Sequence, residues 1–153
     1  MHLAKHLHGV EPAITLRIIG YCALPQVLKK LRSEIDGYDY ITLTGGDQLV
    51  PHDEIRAAIA ASDFGIVCYP PSRHTENSIP TKLYEYLAYR LPILLQNHPT
   101  WTALCAPSQA AITVDFEEPD PRAIVGAMAS RQFYTRAPEG VWWDGAALVA
   151  ALR

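Results

Sequence analysis

Apolar and polar residues alternate along this chain in two rhythms. Short runs that are apolar at nearly every position read as strands: "ITLRII" (14–19), "YITLT" (40–44), "FGIVCY" (64–69), "LPILL" (91–95) and "AAITV" (110–114). Between them apolar residues recur at helical spacing. Leu24, Val27, Leu28, Leu31 and Ile35 share one face, with Lys29, Lys30, Arg32 and Glu34 mostly opposite. A helix opens near His52 with Asp53 and Glu54 in its first turn, favourable against the helix dipole; Ile55, Ala58, Ile59 and Ser62 form its inner side. Further helices are expected over 81–90, over 99–105 and, beginning on a proline, over 121–130. Leu3 and Leu7 give the N-terminal stretch an inner stripe, and "VWWDGAALVAALR" reads as a terminal helix.

Strands alternating with helices predict the α/β class: a Rossmann-like, three-layer α/β/α arrangement with a mainly parallel sheet of about five or six strands. "FGIVCY" has the composition of a strand covered on both faces, and Pro92, which cannot donate to a ladder, belongs near the start of its strand. Ligands in such folds bind beyond the carboxyl ends of the strands, which points to loops 20–24, 45–52, 70–81 and 96–99. No internal repeat, low-complexity tract or second domain is visible, so residues 1–153 read as one domain.

Composition removes several alternatives. The chain is 49% hydrophobic and 19% charged, with net charge −3 from 13 basic and 16 acidic residues, so bulk affinity for nucleic acid or anionic membrane is not expected. Cys22, Cys68 and Cys105 are scattered without a CxxC spacing and read as reduced core thiols of a cytoplasmic protein. The first residues lack the apolar run of a signal peptide, and no segment approaches the roughly 20 apolar residues that span a bilayer.

The segment 70–85 carries the strongest chemical signal. A polar, proline-containing loop leads to Pro80, after which the N–H groups of Thr81, Lys82 and Leu83 are free to face an anion, with the Lys82 charge beside them. Glu85, one turn on, is placed to accept two hydrogen bonds from a vicinal diol. Phosphate on the amides and ribose on the carboxylate would suit a nucleotide. The plainer account is an i,i+3 surface pair between Lys82 and Glu85, which adds little.

Other candidates are weaker. His2, His6 and His8 include an i,i+4 pair compatible with a metal, but without HExxH or a carboxylate closer than Glu11, solvated histidines are the expectation. His74 and His98 flank the expected cleft, where either could touch a sugar or phosphate. "TGGD" (44–47) lacks the features of a P-loop or a dinucleotide fingerprint and is expected to make a turn. Trp142 and Trp143 suit a sugar-stacking platform or, more simply, the anchor of a terminal helix. No nucleophile–base set stands out, so no catalytic residue is assigned.

"SDFGIVCYPPSRHTENSIPTKLYEYLAYRLPIL" resembles the nucleotide-sugar half of a glycosyltransferase of the GT-B type, near the large retaining family numbered four. In that family a strand ending in proline leads through a polar loop to a P-x-K-x-x-E-Y-x-A helix and a P-(I/V)-(I/L) strand, here Tyr69-Pro70, Pro80 to Ala88 and Leu91-Pro92-Ile93. "LRIIGYC" and "ITLTGGDQLVPHDEIRAAIAASDFGI" resemble its preceding elements, so the likeness covers residues 1 to about 130. The resemblance implies that Glu85 binds the ribose hydroxyls and that Thr81 and Lys82 lie by the diphosphate. Leu49 and Val50 would face the base through main-chain atoms, and Asn77 and Ser78 would lie by the donor sugar. Asn77 departs from the glutamate often found there.

The resemblance also implies that the family's first strand and acceptor domain precede this sequence, and that the isolated chain is inactive. The partners implied are a nucleotide-sugar donor and the acceptor half, with self-association left open; neither metal nor other cofactor is expected. Three rival readings are a non-catalytic scaffold or nucleotide-binding module, a sugar-nucleotide epimerase of similar fold, and a flavodoxin-like or receiver domain. The last predicts an acidic cluster at the strand ends, where this chain has Gly20-Tyr21 and Tyr69-Pro70.

Overall fold

The computed structural model describes residues 1–69, 72–76 and 78–139; Asn77 and the expected terminal helix with Trp142 and Trp143 lie outside the described residues. The chain is α/β with parallel strand pairs, and it divides into two compact units. The first unit comprises Met1–Ser62 with Val114–Arg131; the second comprises Asp63–Thr113 with the described residues from Gln132 on.

In the first unit, β1 (Leu16–Tyr21) pairs in parallel with β2 (Ile41–Gly46), in a register running from Leu16 opposite Ile41 to Tyr21 opposite Gly46. Helix α2 (Pro25–Ile35) connects them, α3 (His52–Ala60) follows, and α1 (His2–Val10) packs on α7 (Pro121–Ser130). Asp120 caps α7, its carboxylate accepting from the Ala123 N–H at 3.0 Å. Leu3 and Leu7 are buried as their spacing predicts, but His8 is not a solvated histidine. Its ring stacks on Tyr40 at 3.5 Å and its Nδ1 donates to the Ile14 carbonyl at 2.7 Å, so it fixes the turn into β1. Helix α2 departs from its pattern as well: Leu28 is buried, whereas Leu24 and Val27 are about half exposed.

The glycines of "TGGD" end β2 rather than cradling a phosphate. Gly45 has φ +87°, and a Cβ there would meet the Val50 methyl group and the Gly20 carbonyl oxygen. The turn closes because residue 45 has no side chain.

In the second unit, β3 (Gly65–Val67) and β4 (Ile93–Gln96) are parallel, Gly65 lying opposite Ile93 and Val67 opposite Leu95, and β5 (Ala111–Val114) adjoins β4. Ile93, Leu94 and Leu95 are all buried, as in a strand covered on both faces. Pro92 immediately precedes β4, and its carbonyl accepts from Gly65 N–H at 2.8 Å. The expected strand over 64–69 is shorter than its composition suggests, since the ladder ends at Val67 and Ile66 stays 37% exposed. The hydrogen bonds also divide the five strands into a pair, β1-β2, and a trio, β3-β4-β5, where one sheet was expected.

Helix α5 (Thr81–Ala88) packs on β3 through Leu83 and Leu87, both without exposed surface. Its C-terminus carries a Schellman motif: Arg90 N–H bonds the Leu87 carbonyl and Leu91 N–H the Tyr86 carbonyl, with Arg90 at φ +53°. A non-glycine residue held in the left-handed region is strained. Arg90→Gly is therefore expected to raise stability by about 0.5–1 kcal/mol. Leu87→Ala should lower it by about 2–5 kcal/mol. Urea denaturation of the chain and both variants checks both signs; a destabilised Arg90→Gly variant would contradict the strain argument.

Candidate functional site

The second unit places the carboxyl ends of two parallel strands next to the start of a helix, and the sequence of this region explains how. Beyond β3 the chain leaves the sheet, and Tyr69 N–H is taken by the side-chain oxygen of Gln96 at 2.9 Å. Because Gln96 ends β4, one side chain ties the loops after both strands. The expected loop over 70–80 contains a single helical turn, α4 (Arg73–Glu76). Ser72 and Thr75 make it by reciprocal bonding: Ser72 N–H donates to Thr75 Oγ1 at 2.8 Å and Thr75 N–H to Ser72 Oγ at 3.2 Å. This is the capping-box logic with threonine in the third position.

The loop is also held from outside. Trp101, on α6 (Pro99–Cys105), is 1% exposed and donates its indole N–H to the Ser78 carbonyl at 2.8 Å. Its ring stacks on His98 at 4.1 Å and meets Tyr69 edge-on at 6.1 Å. Ser78 is thereby fixed two residues before Pro80, the N-cap of α5.

At that N-terminus no side chain caps the helix. Leu83 N–H, expected to be free, bonds the Pro80 carbonyl at 2.9 Å, because the first turn closes three residues back. The open donors are thus Thr81 and Lys82. Lys82 Nζ donates to Glu85 Oε2 at 2.9 Å, with the two side chains 38% and 31% exposed. The structure therefore brings together Thr81, Lys82 and Glu85, with Ser78 just ahead of them. A pair of this exposure and spacing contributes about 0.3–0.5 kcal/mol, so an incoming anion or diol separates it at small cost. Beneath it, the Tyr86 hydroxyl is pushed above its ordinary value by burial, and further by the Glu85 carboxylate and the Tyr69 phenol.

Leu49 and Val50 belong to the first unit. Leu49 is 81% exposed just past β2, whereas the Val50 side chain is committed to packing over Gly45. Tyr21, at the end of the adjacent β1, is a further exposed apolar group that the sequence pattern did not single out.

A cleft of about 490 Å³ lies in the second unit over the ends of β3 and β4, between loops in which a ligand was expected. Tyr69, Glu76, Gln96, Asn97, His98 and Trp101 are among the residues that line it. The sequence points to loops 70–81 and 96–99 and to His98, whereas Tyr69 as a wall and Trp101 beside it were not foreseen. Among the described residues no three His, Cys, Asp or Glu side chains are grouped to hold a metal ion, and no helix is long and apolar enough to cross a membrane.

The cysteines are free, but only Cys105 is a core thiol; Cys22 is half-buried, and Cys68 is exposed because β3 ends before it. Burial under Trp101 and its neighbours pushes the Cys105 thiol up to about 11 from an ordinary 9.0. A raised acid favours the neutral thiol in the fold, so this contribution to stability is complete below the ordinary value and fades as pH climbs toward 11. At pH 8 only about a thousandth of Cys105 is thiolate. Iodoacetamide followed by peptide mass spectrometry is expected to label Cys68 and spare Cys105 in the native chain, and to label both after denaturation. Compared with models of known protein families and with curated proteins, the chain finds no match in either.

Proposed function

We propose that the chain is the donor-binding half of a GT-B glycosyltransferase, which binds a nucleoside diphosphate sugar and, with an acceptor-binding half, transfers the sugar to a hydroxyl. The observation that carries this reading is the start of α5. Two unsatisfied N–H donors, Thr81 and Lys82, a lysine ammonium and a carboxylate one turn later stand together at the carboxyl end of parallel strands. The diphosphate lies on the amides and Lys82, where the helix dipole and the full charge stabilise the departing group. The ribose diol donates to Glu85. The family resemblance would further assign Asn77 and Ser78 to the sugar and Leu49 and Val50 to the base.

The strand pairing supports the finer reading of the fold, a Rossmann-like α/β/α domain. Doubly wound folds are built from parallel strands joined by helical crossovers. Here β1 and β2 are a parallel pair joined by α2, and β3 and β4 a parallel pair whose connection contains α5.

One observation favours a second reading, a nucleotide-binding module without transfer activity. Lys82 and Glu85 satisfy each other, and a pair of that kind can serve binding alone.

Calorimetric titration of the chain with UDP, GDP and ADP tests the donor site. One of them is expected to bind saturably, and Glu85→Ala to weaken it about tenfold, the loss of two hydrogen bonds to a charged acceptor. Binding that survives Glu85→Ala unchanged would remove the ribose assignment, and no binding by any of the three would remove the donor-site reading. Sugar transfer by the whole protein, assayed with the nucleotide so identified, separates the enzyme from the module.

A further inference from the structure

We infer that His2 and His6, on the open face of α1, form a two-imidazole chelate for a borderline divalent transition-metal ion such as Zn(II) or Ni(II). The inference does not rest on the nucleotide site, because α1 belongs to the first unit and α5 to the second.

Helix geometry brings the two rings together. Residues four apart lie one above the other on a helix, and Leu3, Ala4 and Leu7 turn the opposite side of α1 into the core. His2 and His6 therefore stand at exposed positions, their ring centroids 4.0 Å apart and their planes at 64°. Among the described residues neither ring takes a hydrogen bond or an ion pair, so each can turn a nitrogen toward a shared ion. Two nitrogens at the usual bond length of about 2.0–2.1 Å lie roughly 3 Å apart around one ion. Rings whose centres are this close need only a turn about the last side-chain torsion, which is broad in histidine.

The neighbours keep competing groups away. Lys5 sends its ammonium elsewhere, 4.0 Å from the centre of the Tyr38 ring and donating to the Glu34 carbonyl at 3.2 Å. His8 is already committed to Tyr40 and to the Ile14 carbonyl, so it does not join the pair. Among the described residues no third His, Cys, Asp or Glu completes a cluster, so water fills the remaining positions and the ion exchanges readily. Neutral nitrogen donors also select the ion. Imidazole suits zinc, copper and nickel, whereas magnesium and calcium demand oxygen ligands.

The helix gains from such an ion. α1 begins without a side-chain cap and without an acidic residue in its first turn. An ion bridging residues 2 and 6 ties that turn to the next, which the missing cap leaves undone. The helix dipole opposes a cation at this end, but only weakly at exposed positions.

Titration calorimetry of the full chain, first stripped with EDTA, tests this with Zn(II) and Ni(II) as probes and Mg(II) as control. One ion of zinc or nickel is expected to bind per chain with a Kd of about 1–100 µM, and magnesium is not. His2→Ala and His6→Ala should each weaken binding at least about tenfold, because one imidazole no longer chelates, while His52→Ala binds like the parent chain. Saturating Zn(II) should raise the thermal midpoint of the parent and leave that of His6→Ala unmoved. Without metal, all variants should melt like the parent. The site is overturned if neither Zn(II) nor Ni(II) saturates below about 1 mM, if Mg(II) binds as well as they do, or if binding survives either His2→Ala or His6→Ala unchanged.

Discussion

The second unit is organised around a missing Cβ. A side chain at Gly65 would lie 2.5 Å from the ring of Tyr86, so glycine there is what lets α5 settle on β3. With the helix seated, Leu83 and Leu87 lose all exposed surface and join Val67, Ile93 and Leu95 in one core. Each fully buried leucine contributes about 1.5–3 kcal/mol relative to exposure. Residues on the remaining faces of α5 are then determined by helix geometry alone. Lys82 and Glu85, one and two positions away from Leu83, must stand at the partly open face. Tyr86 is itself locked by this contact, and its carbonyl and that of Leu91 accept from the Tyr134 hydroxyl at 3.4 and 2.6 Å. Burial raises that hydroxyl's pKa well above its ordinary value, so at neutral pH it is a dependable donor.

From α5 the constraint passes forward through the loops. Trp101 holds the Ser78 carbonyl, Gln96 holds the Tyr69 N–H, and Ser72 and Thr75 hold each other. None of these bonds is strong singly, each contributing on the order of 1 kcal/mol. Their effect is positional, since each fixes a backbone group that would otherwise be satisfied by water in many arrangements. The same bonds that deliver Pro80 to the head of α5 thus shape the neighbouring cleft. A loop this tethered is a preformed surface, which lowers the ordering cost of any ligand.

Much of this was legible in the sequence, for identifiable reasons. All five strands and the helices opening near Pro25, His52, Thr81, Pro99 and Pro121 were legible, because buried runs and helical spacing are local properties. The grouping of Thr81, Lys82 and Glu85 was legible too, since an eight-residue helix places residues one turn apart side by side. What failed was long-range. Whether "FGIVCY" ends at Val67 or Tyr69 depends on Gln96, which lies 27 residues from Tyr69. Cys68 was assigned to the core because its neighbours are apolar, yet it falls past the end of the ladder. Leu24 and Val27 follow the spacing of an inner face, yet the helix contributes only Leu28 fully to the core. Trp101 was invisible as a site element, since a tryptophan in a short helix announces burial and not what its indole N–H will bond.

On the donor-site reading, the Lys82–Glu85 pair is where stability and function meet most closely. A designer seeking only a stable helix would place a capping side chain at residue 80; proline there leaves the Thr81 and Lys82 amides open. The omission costs about 1 kcal/mol of helix stability. Lys82 does not offset it by turning back to a carbonyl, and bonds a carboxylate that lies too far along the helix to cap anything. Both groups remain partly solvated, so neither suffers the large penalty of an isolated buried charge when the pair opens. An anion arriving at the amides recovers the missing cap, gains the ammonium, and frees Glu85 to accept hydroxyls in the same step. The two ends of such a ligand are therefore coupled through one weak bond. A ligand carrying phosphate and diol together gains from both ends after breaking that bond once, whereas a phosphate alone leaves Glu85 without its partner. On that reading, the coupling would favour a nucleotide over a free phosphate.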